Sequence, residues 1–142
     1  PQPFVTAAMA QNENLRVALD LTAEWDATQE EGGSRLVTGV TIARTDFLEE
    51  NEDAVKDFLA EHEESAAFTN ENPEQAAQWI AELEIVAKAP IAQKAIPACN
   101  ITCIDGNEMK DALGGYLSAL HELEPTSIGG ALPADDFYYG AK

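Results

Sequence analysis

The residues of this 142-residue chain that are best suited to bind a metal or act as nucleophiles are two cysteines and two histidines. Cys99 and Cys103 lie close together, whereas His62 and His121 are distant from them in the sequence. A structural zinc site needs four ligands, and neither a second cysteine pair nor a histidine cluster supplies the missing ones. The spacing therefore favours two buried thiols, with a disulfide bond left open if the protein is exported. We predict no metal and no cofactor.

The other reactive side chains do not form a catalytic set. His62 and His121 are each followed by glutamate, as in a zinc-protease helix, but each lacks the second histidine that such a helix carries. Most carboxylates between Glu49 and Glu64 lie on the polar face of one predicted helix, whereas a catalytic acid and base need burial. The glycine pairs have no phosphate-loop spacing. We predict no catalytic residue and no enzyme activity.

Composition limits the classes of partner. The chain has 26 acidic and 8 basic residues, a net charge of −18, and 45% hydrophobic residues. That apolar content predicts a folded chain, and its length predicts one ordinary domain. Nucleic acid is excluded as a partner because phosphate binding needs a basic stripe, and the three arginines are scattered.

Two segments are typical of β-strands and so predict an α/β fold. Apolar and other side chains alternate over residues 15–21, and residues 36–44 form a nearly continuous apolar run rich in β-branched residues. Trp25 is assigned to an acidic loop between them, which ends in the Glu-Glu-Gly-Gly sequence of residues 30–33.

The remainder of the chain predicts helices. Asn51 is the expected cap of a long helix, and Pro73 is the expected first residue of the next. We also predict two helical turns over residues 90–96, a strand or loop over residues 98–104, and a helix over residues 107–124. The apolar face of the long helix is assigned to Val55, Phe58, Leu59, Ala66 and Phe68. A close approach by a neighbouring element is the expected reason for Gly114 and Gly115 inside the last helix.

Three phrases in this order resemble one family. GVTIARTDFLEENEDAVKDFL at residues 39–59, NENPEQAA at residues 70–77 and GGALPADDFYY at residues 129–139 are similar to the C-terminal part of ABC-transporter substrate-binding proteins of the taurine, nitrate and thiamine-precursor type, including Firmicutes lipoproteins. The resemblance implies the C-terminal portion of a two-lobed type II periplasmic-binding-protein fold, an α/β architecture rich in helices with few strands. Residues 1–35 would end the second lobe. Residues 36–142 would supply the returning hinge strand and the C-terminal helices of the first lobe.

The same resemblance implies a function and a set of ligand-binding residues. A fragment of an exported solute-binding protein would capture a small molecule and present it to an ABC permease, either at the cell surface on a lipid anchor or in the periplasm. The opening Gln2-Pro3-Phe4-Val5-Thr6 resembles the family segment beside the ligand cleft, which implies binding roles for Gln2, Phe4 and Thr6. Thr38 and Gly39 would lie at the hinge, on the ligand side. Further expected partners are the missing N-terminal half of the same protein or a second copy.

Two other functions remain open from the sequence. The chain is consistent with a self-contained acidic domain that binds a protein partner and no small molecule. The third candidate is an enzyme similar to the pyrimidine-precursor synthases of the same superfamily, which would require a metal or pyridoxal site.

Overall fold

The computed structural model describes residues 1–29 and 34–142, and all regular structure in these ranges is helical. Helical segments cover 63% of the described residues, and no strand is present among them. Three single 3₁₀ turns lie at Ile96–Ala98, Pro125–Ile128 and Asp135–Phe137. The α-helices are α1 (Phe4–Gln11), α2 (Leu21–Thr28), α3 (Thr45–Glu50), α4 (Glu52–Glu71), α5 (Pro73–Glu82), α6 (Ala89–Ala95) and α7 (Gly106–Leu123).

The predicted α/β fold class, with its hinge strand, is therefore wrong for the described residues. Residues 15–19 and 36–43 have no regular structure and pair with no strand there. Their side chains are correspondingly open to water, with Val17 56% and Ile42 81% exposed. A β-branched run forms a strand only when a neighbouring strand completes the ladder, so composition alone was insufficient.

The helix predictions are confirmed for α4, α5, α6 and α7 within a few residues. Pro73 occupies the first turn of α5 as expected. Asn51 precedes α4, but its side chain makes no cap bond to that helix and instead donates to the Phe47 carbonyl at the end of α3. Among the described helices, none has both the length and the apolar character that crossing a membrane requires.

The chain divides into two compact units. Unit 1 consists of Pro1–Arg16 and Ala43–Cys103, and unit 2 consists of Val17–Ile42 and Ile104–Lys142. The predicted division into lobes at residue 35 stays a prediction.

The core of unit 1 is built from alanines. Ala76 and Ala77 of α5 pack with Ala92 of α6 and with Ile96, and each of the four is at most 4% exposed. Small side chains let these helices approach closely, but they bury little apolar area. Val55 and Ala66 of α4 are buried as predicted.

The rest of the predicted apolar face of α4 is not buried. Phe58 and Phe68 are 47% and 36% exposed, and Phe58 stacks on His62 with ring centroids 5.6 Å apart. The prediction failed because a helical stripe shows which side chains share a face, whereas the size of the neighbouring elements decides how many of them are covered.

Unit 2 is organised around α7. Trp25, predicted in a loop, lies on α2 and packs edge-to-face on Tyr116 with centroids 5.3 Å apart. Its indole nitrogen donates to the Ser34 carbonyl at 3.2 Å. Ser34 lies so close to Gly115 that any side chain there would collide with it, which confirms a close approach at Gly115 but by irregular chain and not by a strand or helix. At Gly114 an added Cβ atom would make only an ordinary contact. The loop predicted at residues 30–33 lies outside the described residues.

Candidate functional site

Three of the predicted ligand-binding residues lie at the start of unit 1. The Gln2 side chain accepts hydrogen bonds from the Thr6 hydroxyl at 2.8 Å and from the Thr6 amide at 3.3 Å. Thr6 is 7% exposed. The two bonds therefore stabilise the first turn of α1, and the Thr6 hydroxyl already donates its proton to Gln2. Phe4 is 72% exposed. The structure thus joins Gln2 to Thr6, and the binding roles of all three stay predictions.

The other two predicted residues belong to unit 2. Thr38 and Gly39 are exposed within the irregular segment of residues 36–43. A Cβ atom added at Gly39 would meet nothing within 4 Å. Their hinge role depended on a strand that is not present in the described chain.

The cysteines offer no assembled metal centre in the described residues. Neither Cys99 nor Cys103 forms a disulfide bond there, and no group of three potential ligands is positioned to hold a metal ion. The Cys99 thiol donates to the Ala95 carbonyl at 3.3 Å, and burial raises the pKa of this thiol. A raised pKa lowers the thiolate fraction, which makes Cys99 a weaker nucleophile.

One cleft in unit 2, of about 320 Å³, lies between α7 and the C-terminal segment. Its ammonium group, Lys110, pairs with Asp135 at 2.9 Å, and Ser118 donates to the Gly114 carbonyl. Burial raises the pKa of Tyr138 at the cleft wall, although Lys110 acts in the opposite direction. Two polar groups of this cleft, those of Lys110 and Ser118, are thus engaged within the chain.

A second cleft, in unit 1, has a volume of about 210 Å³. Asn70 is its central polar residue, and its side-chain amide donates to the carbonyls of Ala66 at 3.0 Å and Ile101 at 2.9 Å. These bonds tie α4 to the chain that follows α6. Each bond uses one hydrogen of the side-chain amide, so the Asn70 side chain has no hydrogen left to donate to a ligand.

The feature of unit 1 with the strongest binding character is an exposed aromatic pair. Phe68 on α4 and Trp79 on α5 stack with centroids 5.2 Å apart and ring planes inclined by 15°. Trp79 is 47% exposed, and Leu83, one helical turn further on, is 71% exposed. We call Phe68, Trp79 and Leu83 the aromatic patch. Tryptophan is enriched among the few residues that dominate the binding energy of protein interfaces.

The aromatic patch lies in an acidic stretch of the sequence. No lysine or arginine occurs between Lys56 and Lys88. Eight carboxylates occur there, and all are exposed: Asp57, Glu61, Glu63, Glu64, Glu71, Glu74, Glu82 and Glu84. The patch is therefore carried by a stretch of chain whose negative charge is not compensated by any lysine or arginine within it.

Comparison with family models, with curated proteins and with solved structures found no match to this chain. The resemblance to ABC-transporter substrate-binding proteins is wrong, because no family relationship supports it and the described residues contain no sheet. The phrases that suggested it lie largely in α3, α4, α5 and the C-terminal 3₁₀ turn. Capped amphipathic helices of this kind occur in many folds, so their order alone was not specific.

Sequence reasoning missed the aromatic patch because it treated Phe68 and Leu83 as buried positions of their helices. The signal that was available is the run of eight carboxylates without lysine or arginine. Such a run indicates a surface that remains in water or faces a cation, and aromatic residues within it are candidates for a binding site.

Proposed function

We propose that this chain contains an acidic helical domain that binds a protein partner through the aromatic patch. The observation that carries the proposal is the half-exposed stack of Phe68 on Trp79, extended by Leu83. Keeping such side chains in water costs free energy, which a partner recovers by covering them.

A protein partner is favoured over a small molecule by the form of the surface. Small ligands bind in concave sites with a few convergent polar groups, and in both described clefts key polar groups are engaged within the chain. The aromatic patch instead presents anchors of the type found at the centre of protein interfaces. Solute capture rested on the family resemblance and is not proposed again.

A displayed library of random peptides provides the test. Clones selected on the wild-type protein are measured against Trp79→Ala and against Leu123→Ala, a matched control in unit 2 whose parent side chain is 82% exposed. We expect Trp79→Ala to weaken a major class of clones roughly tenfold or more. Leu123→Ala should leave that class unchanged, and circular dichroism should show that both variants retain their helix content.

Two results would contradict the proposal. Selection that yields no binding clones would show that the surface lacks a usable contact site. Clones that bind both variants equally well would place the contact elsewhere.

A further inference from the structure

The acidic setting of the aromatic patch indicates what kind of segment covers it. We propose that the occupant is a basic amphipathic helix of a partner protein, an inference that rests on the proposed function and specifies its partner. The helix would place apolar side chains on Phe68, Trp79 and Leu83 and its lysines or arginines over the carboxylates of the same stretch of chain.

The apolar part of the argument concerns spacing. Trp79 and Leu83 are one helical turn apart, so they project from the same side of the chain. Phe68 lies beside Trp79 on the neighbouring helix, and the two rings are nearly parallel. A helix that presents apolar residues at intervals of three and four positions matches anchors of this spacing.

The electrostatic part concerns sign. The eight exposed carboxylates between Lys56 and Lys88 attract a cationic partner. A second copy of this chain would bring the same carboxylates into contact with themselves, which opposes self-association through this surface. An anionic membrane surface would be repelled for the same reason.

The secondary structure of the occupant follows from the main chain beneath it. Phe68 and Trp79 belong to helices, whose main-chain groups are hydrogen-bonded within the helix. The patch therefore offers side chains and no open strand edge, so an extended peptide would leave its own main-chain groups without partners from this surface. A helix satisfies its own main-chain groups and loses nothing by docking there.

Three synthetic peptides of about 18 residues test the proposal, since this length can hold a helix on binding. The first contains only leucine and lysine, with leucine at positions i, i+3, i+4 and i+7. The second has the same composition in scrambled order, and the third has glutamate in place of lysine. Binding is measured by fluorescence anisotropy, and helix formation by circular dichroism, with the full chain as receptor.

We expect the patterned peptide to bind at least tenfold more tightly than the scrambled one, and the glutamate peptide not to bind. Leu83→Asp should weaken binding roughly tenfold, whereas Leu123→Asp, with the same change in charge in unit 2, should change it less than about twofold. Glu71→Lys, at an exposed position, should weaken binding severalfold and provides a second variant if Leu83→Asp perturbs folding.

The outcomes separate this inference from the proposed function. Equal binding of patterned and scrambled peptides, or equal loss in Leu83→Asp and Leu123→Asp, would overturn the inference, since only net charge would then matter. Library clones that depend on Trp79 but lack a basic amphipathic pattern would overturn it while supporting the proposed function. If the patterned peptide fails to bind and no clone depends on Trp79, both proposals are wrong.

Discussion

Two adjacent glycines in α7 face different surroundings, which allows a paired test. A Cβ atom at Gly115 would collide with Ser34, whereas one at Gly114 would lie 3.5 Å from the Tyr138 hydroxyl, an ordinary contact. Alanine gains about 1 kcal/mol over glycine in a helix. We expect Gly114→Ala to be more stable by about 0.5–1 kcal/mol, and Gly115→Ala to lose about 1 kcal/mol net because overpacking exceeds the helix gain.

Urea unfolding of both variants measures these free energies. If Gly115→Ala is as stable as Gly114→Ala, then Ser34 can move away without loss of stability. The close approach would then not require glycine.

Glu124 gives a second test at the scale of one residue. Its carboxylate accepts hydrogen bonds from the Thr126 hydroxyl at 2.6 Å and from the Thr126 amide at 3.3 Å, and these bonds lower the pKa of Glu124. The folded pKa lies below the unfolded one, so the bonds stabilise the turn above the unfolded pKa and are lost as pH falls through the folded pKa.

Carboxyl-detected NMR titration should report a pKa for Glu124 below the ordinary value of a glutamate side chain. Thr126→Val removes the hydroxyl bond and keeps the amide bond, so we expect it to raise the pKa of Glu124 part of the way. An unchanged value would remove the hydroxyl as the main cause.

Single residues were predictable from the sequence where a local reason was sufficient. The close approach predicted for the glycine pair is confirmed at Gly115 and not at Gly114, and Pro73 in the first turn of α5 is confirmed. Asn51 was predicted as a helix cap on the same kind of argument but bonds to the Phe47 carbonyl. Asparagine has several local hydrogen-bonding choices at a helix junction, and the sequence does not rank them.

At the scale of elements, α2 begins with a clear side-chain cap. The Asp20 carboxylate accepts hydrogen bonds from the amides of Thr22 at 3.0 Å and Ala23 at 3.2 Å, and so caps the helix that carries Trp25. We expect Asp20→Ala to lower the free energy of unfolding by about 1 kcal/mol, and Asp20→Asn to retain most of it.

Asp26 provides the matched control, because it is an aspartate in the last turn of the same helix. Negative charge there opposes the helix dipole, so Asp26→Ala should be neutral or slightly stabilising. Thermal unfolding followed by circular dichroism measures all three variants. Equal losses from Asp20→Ala and Asp26→Ala would argue against capping.

The elements also show why helices were easier to predict than strands. A helix forms its hydrogen bonds within itself, so the periodicity around α4 and α7 located both of them. A strand needs a partner that sequence periodicity does not supply, and residues 36–43 have none among the described residues. The α/β prediction failed at this step, and with it the hinge strand that the resemblance implied.

For the whole molecule, net charge is the property with the most general consequence. At −18, the chain is destabilised by repulsion among its own carboxylates, and dissolved salt screens that repulsion. We expect the melting temperature to rise with sodium chloride, by about 4–8 °C for each kcal/mol of repulsion relieved.

Differential scanning calorimetry between low and moderate salt measures this shift. Chloride is preferred to sulfate, because sulfate also strengthens apolar burial and would confuse the two causes. A melting temperature that stays constant or falls would show that the carboxylates are too far apart to matter.

The candidate site was only partly visible in the sequence. The charge run in its part of the chain could be read directly, and Trp79 could be placed on a predicted helix, now α5. Its stacking on Phe68 was not predictable, because it depends on how α4 and α5 meet and on how little the alanine core of unit 1 covers.

The irregular segment of residues 36–43 has a consequence for handling the protein. Residues 37–42, VTGVTI, are β-prone, uncharged and free of proline, the type of window through which copies of a chain stack into fibrils. The large negative charge of the chain is absent from this window, and the charged residues nearest to it are Arg35 and Arg44, which are exposed cations. Each of these arginines pairs with a carboxylate, Glu108 and Asp46 respectively, and together they flank the window as gatekeeper residues do. We therefore expect replacement of either arginine by a neutral residue to make this acidic protein more prone to aggregate.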